Sequence, residues 1–158
     1  MADIDEPLTW QALQVVRELV EGITVAGGYY TDLGAGTIVT DRSRLKLEGL
    51  APITVIVAAD VAVNPDASGP RTSASDMDVT IEVAVPFEAE SPELIAHRAR
   101  ADLIRALKTS LRGRLEGFRS FDVTSSGFSS DADEKGLQYT LVQVTARAGL
   151  SETATPAP

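Results

Sequence analysis

Histidine is the residue type most often used for acid–base catalysis, and His97 is the only histidine in the chain. A single histidine excludes a multi-histidine metal site. The chain also has no cysteine, which excludes a thiolate nucleophile and a cysteine-based zinc site. A catalytic triad would have to use His97, which has Arg98 and Arg100 as near neighbours. It lies where the apolar stripe of a predicted helix meets the polar face. We therefore interpret it as a histidine on a helix surface.

The acidic cluster Asp131, Asp133 and Glu134 is a second candidate for chemistry. It is similar to the start of a calcium loop, but the glycine and the distal glutamate of such a loop are not at the required spacing. A solvated turn explains it better. No nucleophile elbow of the G-x-S-x-G type is present. The sequence therefore predicts a protein that is not an enzyme and that uses no metal or cofactor.

The segment GGYYTDLGAG, residues 27–36, has the glycine content of a ligand-binding loop. It lacks the third glycine of a dinucleotide fingerprint and the lysine of a P-loop, and it leads into a strand rather than a helix. We interpret it as a hinge between a helix and a strand. Its tyrosines, Tyr29 and Tyr30, would lie at the core edge or contact a neighbouring subunit.

Asp32 is the one charged residue of this segment, and two roles are open for it. The favoured one is an Asx-type turn, in which its carboxylate bonds its own backbone. The alternative is an ion pair with Arg100 or with an arginine of another subunit. Arg100 lies at the edge of an apolar helix stripe, where a carboxylate partner would be favourable.

The periodicity predicts two helices and five strands in one α+β domain, residues 1–150. Asp5, Glu6 and Pro7 predict the start of a helix that ends near Glu21, and Ser91 and Pro92 predict the start of a second that runs to about Leu115. The predicted strands are 36–41, 52–63, 76–87, 120–126 and 137–148. We expect an antiparallel or mixed sheet of about five strands with both helices packed on one face, and a disordered tail at 151–158.

Charge is unevenly distributed over the chain. The net charge is −9, which argues against sequence-independent binding to phosphate backbones. Residues 98–119 hold seven basic and two acidic residues, a net +5, whereas the other residues together carry −14. The basic stretch is either a helix end whose cations the dipole favours, or a patch that docks on the acidic surface of another copy. The helix residues Arg98, Asp102 and Arg105 are expected to face water as ion pairs.

Neither a secretory signal nor a membrane span is indicated. The first ten residues, MADIDEPLTW, lack a basic and apolar leader, and no apolar run reaches the roughly 18 to 20 residues needed to cross a bilayer. We expect a soluble protein of the cytoplasm that has no membrane partner.

Several segments in order resemble one family of phage proteins. An N-terminal amphipathic helix precedes GGYYTDLGAGTIVTDR, followed by APITVIVAAD, the alternating strand DVTIEVAVPF and the helix AHRARADLIRALK. Over roughly residues 8 to 148 the chain is similar to the tail terminator, or tail completion, proteins of long-tailed bacteriophages and prophages, the minor tail protein U type. The resemblance implies a hexameric ring that caps the tail tube, stops its polymerisation and offers a docking surface to the head–tail connector. Such a protein is assembled in the host cytoplasm, belongs to the virion tail, and lets DNA pass without binding it specifically.

The resemblance implies subunit contacts and a lumen, to which candidate residues can be assigned. Asp76, Asp78 and Glu82 form the acidic face of the strand 76–87 and would line the lumen, where their charge would repel DNA; a solvated outer face is equally open. The loop 64–75 would reach a neighbouring subunit or the tube end. The candidate interface residues are Trp10, Arg17, Tyr29, Tyr30, Asp32, Arg42, Arg71, Arg100 and Arg105.

Two other functions stay open at this point. A head–tail connector or neck protein of the same virion would have a similar small α+β fold and ring. A small-molecule-binding α+β domain would use the glycine-rich turn and would need a polar pocket.

Overall fold

A computed structural model of the chain describes residues 6–39, 54–86, 91–108, 115–132 and 138–153. Its elements in chain order are helix α1 (Leu8–Glu21), strands β1 (Thr37–Val39), β2 (Thr54–Val63) and β3 (Thr72–Pro86), helix α2 (Pro92–Lys108), and strands β4 (Phe118–Ala132) and β5 (Gln138–Thr153). Short 3₁₀ turns lie at Leu33–Ala35 and Pro65–Ala67.

The strands form one sheet in the order β1-β2-β3-β5-β4. The four long strands pair with one another in antiparallel orientation. The three-residue β1 pairs in parallel with the start of β2. The predicted α+β fold is therefore confirmed, and of its two alternatives for the sheet the mixed one is observed.

Both helices pack on one face of this sheet. Every second residue from Met77 to Val85 on β3, and from Val142 to Leu150 on β5, is buried. These side chains form one hydrophobic cluster with Leu8, Ala12, Val16 and Val20 of α1 and with Ala96, Ala99, Leu103 and Leu107 of α2. The 3.6-residue period of each helix and the two-residue period of each strand place these residues toward a common core.

The start of α1 is stabilised by a residue from the other end of the chain. Pro7 occupies the N-cap position and makes no side-chain cap bond. The backbone N–H of Leu8 instead donates to Oε1 of Glu152 on β5, at 2.9 Å. An acidic group here is favourable because the N-terminus of a helix carries partial positive charge. The predicted cap, Asp5, lies outside the described residues.

Ser91 precedes α2, as predicted, and its carbonyl accepts a hydrogen bond from the Ile95 N–H at 3.1 Å. Its φ of 53° is in the left-handed region, whereas an ordinary capping serine has extended backbone. The helix is described as far as Lys108, so the predicted extension to Leu115 crosses residues 109–114, which lie outside the described part.

Three predicted boundaries were wrong, each because a polar segment pairs with a neighbouring strand. β3 begins at Thr72, so the loop after β2 is shorter than predicted. Residues 127–132, predicted as loop, continue β4 opposite β5, from the pair Gly127 and Gln143 to the pair Ala132 and Gln138. Ser151–Thr153, predicted as tail, pair with β3. Residues 133–137 and 154–158 lie outside the described part, as do Asp133, Glu134 and Arg42.

Candidate assembly surfaces

The loop between α1 and β1 is attached to α2 by a buried carboxylate. Asp102 is only 1% exposed, and its carboxylate accepts hydrogen bonds from the backbone N–H of Tyr30 at 3.1 Å and of Thr31 at 2.8 Å. The Thr31 hydroxyl donates a third bond, at 2.6 Å. The prediction that Asp102 faces water in an ion pair was therefore wrong. A buried carboxylate is tolerated here because three donors surround it.

Arg105, one turn further along α2, makes a second attachment to the same loop. Its Nη1 donates to the Gly28 carbonyl at 2.7 Å, and its guanidinium carbon lies 4.6 Å from the centre of the Tyr29 ring. Tyr29 is half-buried against the core, which corresponds to the first of its two predicted positions. Arg105 and Tyr29 thus stabilise the loop within the subunit.

Asp32 makes neither of the contacts predicted for it within the chain. Its Oδ1 accepts a hydrogen bond from the Val25 N–H, seven residues earlier, at 2.8 Å, which is not an Asx turn. Arg100 instead donates from Nε to the Ser126 hydroxyl on β4 at 2.9 Å. The Asp32–Arg100 pair was therefore wrong, and a pair between Asp32 and an arginine of another subunit stays a prediction. Asp32 closes the loop on itself.

Two glycines of the loop are required by its path. Gly28 has a φ of 93°, a backbone angle that residues with a side chain rarely adopt. Gly34 lies so close to the end of α1 that a Cβ atom there would be 2.0 Å from the Glu21 carbonyl oxygen. These constraints support the predicted connection between helix and strand. Because the backbone can take only this path, the connection is a rigid turn and not a flexible joint.

The rigid loop and α1 expose large apolar side chains. Tyr30 is 67% exposed and Val25 is 54% exposed, although the backbone of both is hydrogen-bonded inside the chain. On α1, Trp10 is 47% exposed. On the same face, Arg17 forms an ion pair with Glu21 at 3.1 Å. Exposed aromatic residues on a rigid backbone are typical anchors of protein interfaces.

The sheet face opposite the helices carries the predicted acidic residues. Asp60, Asp78, Arg147 and Asp122 are directly opposite one another on β2, β3, β5 and β4, so they form one row across the sheet. Arg147 donates from Nε and Nη2 to the two oxygens of Asp78, at 2.9 and 3.2 Å. These bonds hold the pKa of Asp78 below its usual value and raise the pKa of Arg147.

The other two predicted acids of this face also have partners. Asp76 lies 3.8 Å from Nη2 of Arg119 and accepts a bond from the Asn64 side chain at 3.3 Å. Glu82 accepts a bond from the Gln143 amide at 3.3 Å. The acidic face is thus partly neutralised by β4 and β5, which alternation in one strand alone could not predict.

The loop after β2, residues 64–71, is organised by its own polar groups. Asn64 accepts from the Asp66 N–H at 3.2 Å, and the Ser68 hydroxyl donates to the Asn64 carbonyl at 2.7 Å and accepts from the Ala74 N–H at 3.0 Å. Arg71 is exposed near the tip. This order would let the loop present a fixed surface to a partner.

His97 lies on the surface of α2, as predicted, and its ring is 4.6 Å from that of Phe128 on β4. The two rings border an open groove of about 530 Å³ between the start of α2 and the strands β4 and β5. The groove is also lined by Pro92, Glu93, Ala96, Ser129, Ser130 and Thr140. Within the described ranges, no three acidic, histidine or cysteine residues are grouped to bind a metal, and no helix is long and apolar enough to cross a membrane.

The main residue that sequence reasoning missed is Asp102. A signal was present, because Asp102 follows Ala99 by three positions and precedes Ala106 by four, so it lies on the buried stripe of α2. Its partners, the N–H groups of a loop about 70 residues earlier, leave no such signal. No family model matches this chain, and the comparison with curated proteins gives no match.

Proposed function

We propose that this chain is a phage tail terminator, which closes into a ring on the end of the tail tube and stops its polymerisation. The ring, hexameric by resemblance, would offer a docking surface to the head–tail connector and let DNA pass through its centre. The sequence resemblance over residues 8 to 148 motivates the proposal. The α+β layer with both helices on one face is compatible with it.

The observation that carries the proposal is the contrast between the two faces of the sheet. The helices cover one face, whereas no described helix packs on the other, whose central row contains three aspartates and one arginine. A negative surface of this kind repels the phosphate backbone. It therefore suits the lining of a channel through which DNA must move without binding.

The opposite side of the molecule supplies groups for contacts between proteins. Tyr30, Val25 and Trp10 are exposed on a rigid loop and a helix, away from the acidic face. A contact between different surfaces of successive copies generates a ring when the rotation closes. Tail tube protein and connector would then bind the two ends of that ring.

The glycine-rich loop has few amides left for a ligand. The N–H groups of Tyr30 and Thr31 bond Asp102, that of Val25 bonds Asp32, and those of Gly27, Gly28, Gly34 and Gly36 bond backbone carbonyls. This arrangement favours a structural role over small-molecule binding. A thermal-shift screen against nucleotides and metals would support the binding alternative if the melting temperature rose markedly.

Electron microscopy of a lysate that lacks this protein tests the proposal directly. A terminator is expected to leave abnormally long tails that are not attached to heads, and re-supplying the wild-type chain should restore uniform tails. Tails of normal length beside unattached heads would contradict it and favour the neck protein. Normal virions would exclude both.

A further inference from the structure

The outer edge of β2 has backbone groups that no described residue pairs. β1 covers β2 only from Thr54 to Ile56, so Val57–Val63 has β3 on one side and no described strand on the other. This stretch, VAADVAV, contains no lysine or proline, the residues that commonly protect an edge from pairing with another chain. Val61 and Val63 are 48% and 67% exposed.

β4 is the opposite edge of the sheet, and half of it is equally suited to pairing. Its first half has register irregularities between Phe118 and Ser120 and between Val123 and Ser125. Such bulges hinder the addition of another strand. From Ser125 to Ala132 the register with β5 is regular, and no described strand lies on the outer side. The regular stretch of β4 and the stretch of β2 beside which no described strand lies have nearly the same length.

The side chains of the two edges match face by face. On the helix side of the sheet, Ala59, Val61 and Val63 of β2 would meet Ser126, Phe128 and Ser130 of β4. Phe128 is 44% exposed, so joining the edges would cover apolar area on both strands. On the other side, Asp60 and Ala62 would meet Gly127 and Ser129. The polar face opposite the helices would therefore continue across the contact between the two copies.

The strand directions permit a closed arrangement. β2 and β4 run in opposite directions, because three antiparallel pairings separate them. A rotation about an axis roughly parallel to the strands keeps the direction of every strand, so β4 of one copy would meet β2 of the next antiparallel. Two different edges of each copy are used, which is the heterologous contact that a ring requires.

We propose that a second copy of this chain pairs its β4, residues Ser125–Ala132, with the β2 edge Val57–Val63, so that the sheet continues from subunit to subunit. The inference rests on the ring of the proposed function and gives that ring its contact. The helices then lie on one side of the continuous sheet, and the row of Asp60, Asp78, Arg147 and Asp122 lies on the other.

Disulfide crosslinking tests the contact in a chain that has no cysteine of its own. Val61→Cys would be mixed separately with Ser126→Cys, Phe128→Cys and Ser130→Cys, which cover three registers on the same face. Each variant carries a single cysteine, so every disulfide joins two chains. In addition, β2 and β4 of one chain are three strand spacings apart, or about 14 Å, which is too far for a disulfide. Under mild oxidation we expect a covalent dimer for at least one mixture.

The matched control is Val61→Cys mixed with Ser129→Cys, whose side chain points to the opposite face and should give at least tenfold less dimer. Melting temperatures of all variants check that they fold. No crosslink above this control in any of the three mixtures would overturn the inference. So would a dominant dimer of Val61→Cys with itself, which indicates symmetric pairing of two β2 edges.

The terminator function and the β2–β4 contact can fail independently of each other. Light scattering gives the mass of the uncrosslinked oligomer, and electron microscopy of the same sample shows whether it is a ring. A ring without the Val61 crosslink would remove the β2–β4 contact and leave the terminator function intact. Crosslinked rings from a protein whose loss leaves tails of normal length would retain the contact and contradict the function.

Discussion

The carboxylate of Asp102 and the backbone N–H of Thr31 are 2.8 Å apart, although 71 positions separate the two residues in the chain. The Thr31 hydroxyl and the Tyr30 N–H complete the set of donors to this carboxylate. Through these bonds α2 determines the position of the loop that exposes Tyr30. The packing of the core and the shape of a candidate interface are therefore coupled by one buried side chain.

Substitution of Asp102 should destabilise the fold. Asp102→Ala leaves two buried or partly buried N–H groups and a hydroxyl without their acceptor, and we expect a loss of about 3 kcal/mol in the free energy of unfolding. Urea denaturation followed by circular dichroism measures it. The control is Arg98→Ala on the exposed face of α2, with an expected change within about 0.5 kcal/mol. Equal changes in the two variants would contradict the role of Asp102.

Gly34 should not tolerate a side chain. In Gly34→Ala the new Cβ would lie 2.0 Å from the Glu21 carbonyl oxygen and 2.9 Å from that of Val20, so the backbone has to move. We expect a cost of more than about 3 kcal/mol, at or above the upper end for overpacked sites. The matched control is Gly69→Ala, where the Cβ would meet nothing within 4 Å and no loss is expected. Thermal unfolding of both variants decides, and a stable Gly34→Ala would show that the contact is avoidable.

The architecture could be predicted from the sequence because it depends on short-range periodicity. The alternation of Met77, Val79 and Ile81 fixes the buried face of β3, and the spacing of Ala99, Leu103 and Leu107 fixes that of α2. The strand ends could not be predicted. Ser151–Thr153 and the serine-rich end of β4 have loop-like composition and become strand because a neighbouring strand pairs with them.

The candidate surfaces were predicted less completely, since they depend on contacts between distant segments. The exposure of Trp10 and the polar face of β3 follow from position within one element. The three donors to Asp102, the Arg147–Asp78 pair and the cap that Glu152 gives α1 join residues 69 or more positions apart. A single sequence contains no local pattern for such pairs.

The Asp78–Arg147 pair predicts a pH dependence of stability. The pKa of Asp78 is lowered in the folded state, so the pair stabilises the fold fully above the unfolded pKa of about 3.9, and this contribution is lost as the pH falls through the lower folded value. Asp78→Asn should therefore melt slightly below the wild type at pH 6, and the two should coincide at the acid end. The difference is expected to be small because both side chains are exposed.

Differential scanning calorimetry between pH 2 and 7, at low salt, measures this difference. Asp66→Asn, in the loop after β2, is the control for general effects of removing a charge. If the gap between Asp78→Asn and the wild type stayed constant over this range, or widened as the pH fell, the ion pair would not be its cause.

Tyr30 is expected to act in assembly rather than in folding. Its side chain is 67% exposed, so Tyr30→Ala should leave the melting temperature nearly unchanged. If Tyr30 is an interface anchor, the dissociation constant of the oligomer should rise at least tenfold. Sedimentation velocity over a dilution series measures it. Leu94→Ala, which removes a 48% exposed apolar side chain at the start of α2, is the control. The same shift in both variants would assign no special role to Tyr30.

Reversal of charge on the acidic face should slow the passage of DNA if this face lines the lumen. In Asp78→Lys with Glu82→Lys, the carboxylate that pairs with Arg147 and the carboxylate that accepts from Gln143 both become cations, and the face attracts the phosphate backbone instead of repelling it. We expect virions that assemble but eject DNA more slowly, with the largest delay at low ionic strength, where charges are least screened. The control is Asp66→Lys with Glu93→Lys, the same change of charge at exposed positions outside the strands of the sheet. Fluorescence of released DNA gives the ejection rate, and wild-type ejection by the first variant would place the acidic face outside the channel.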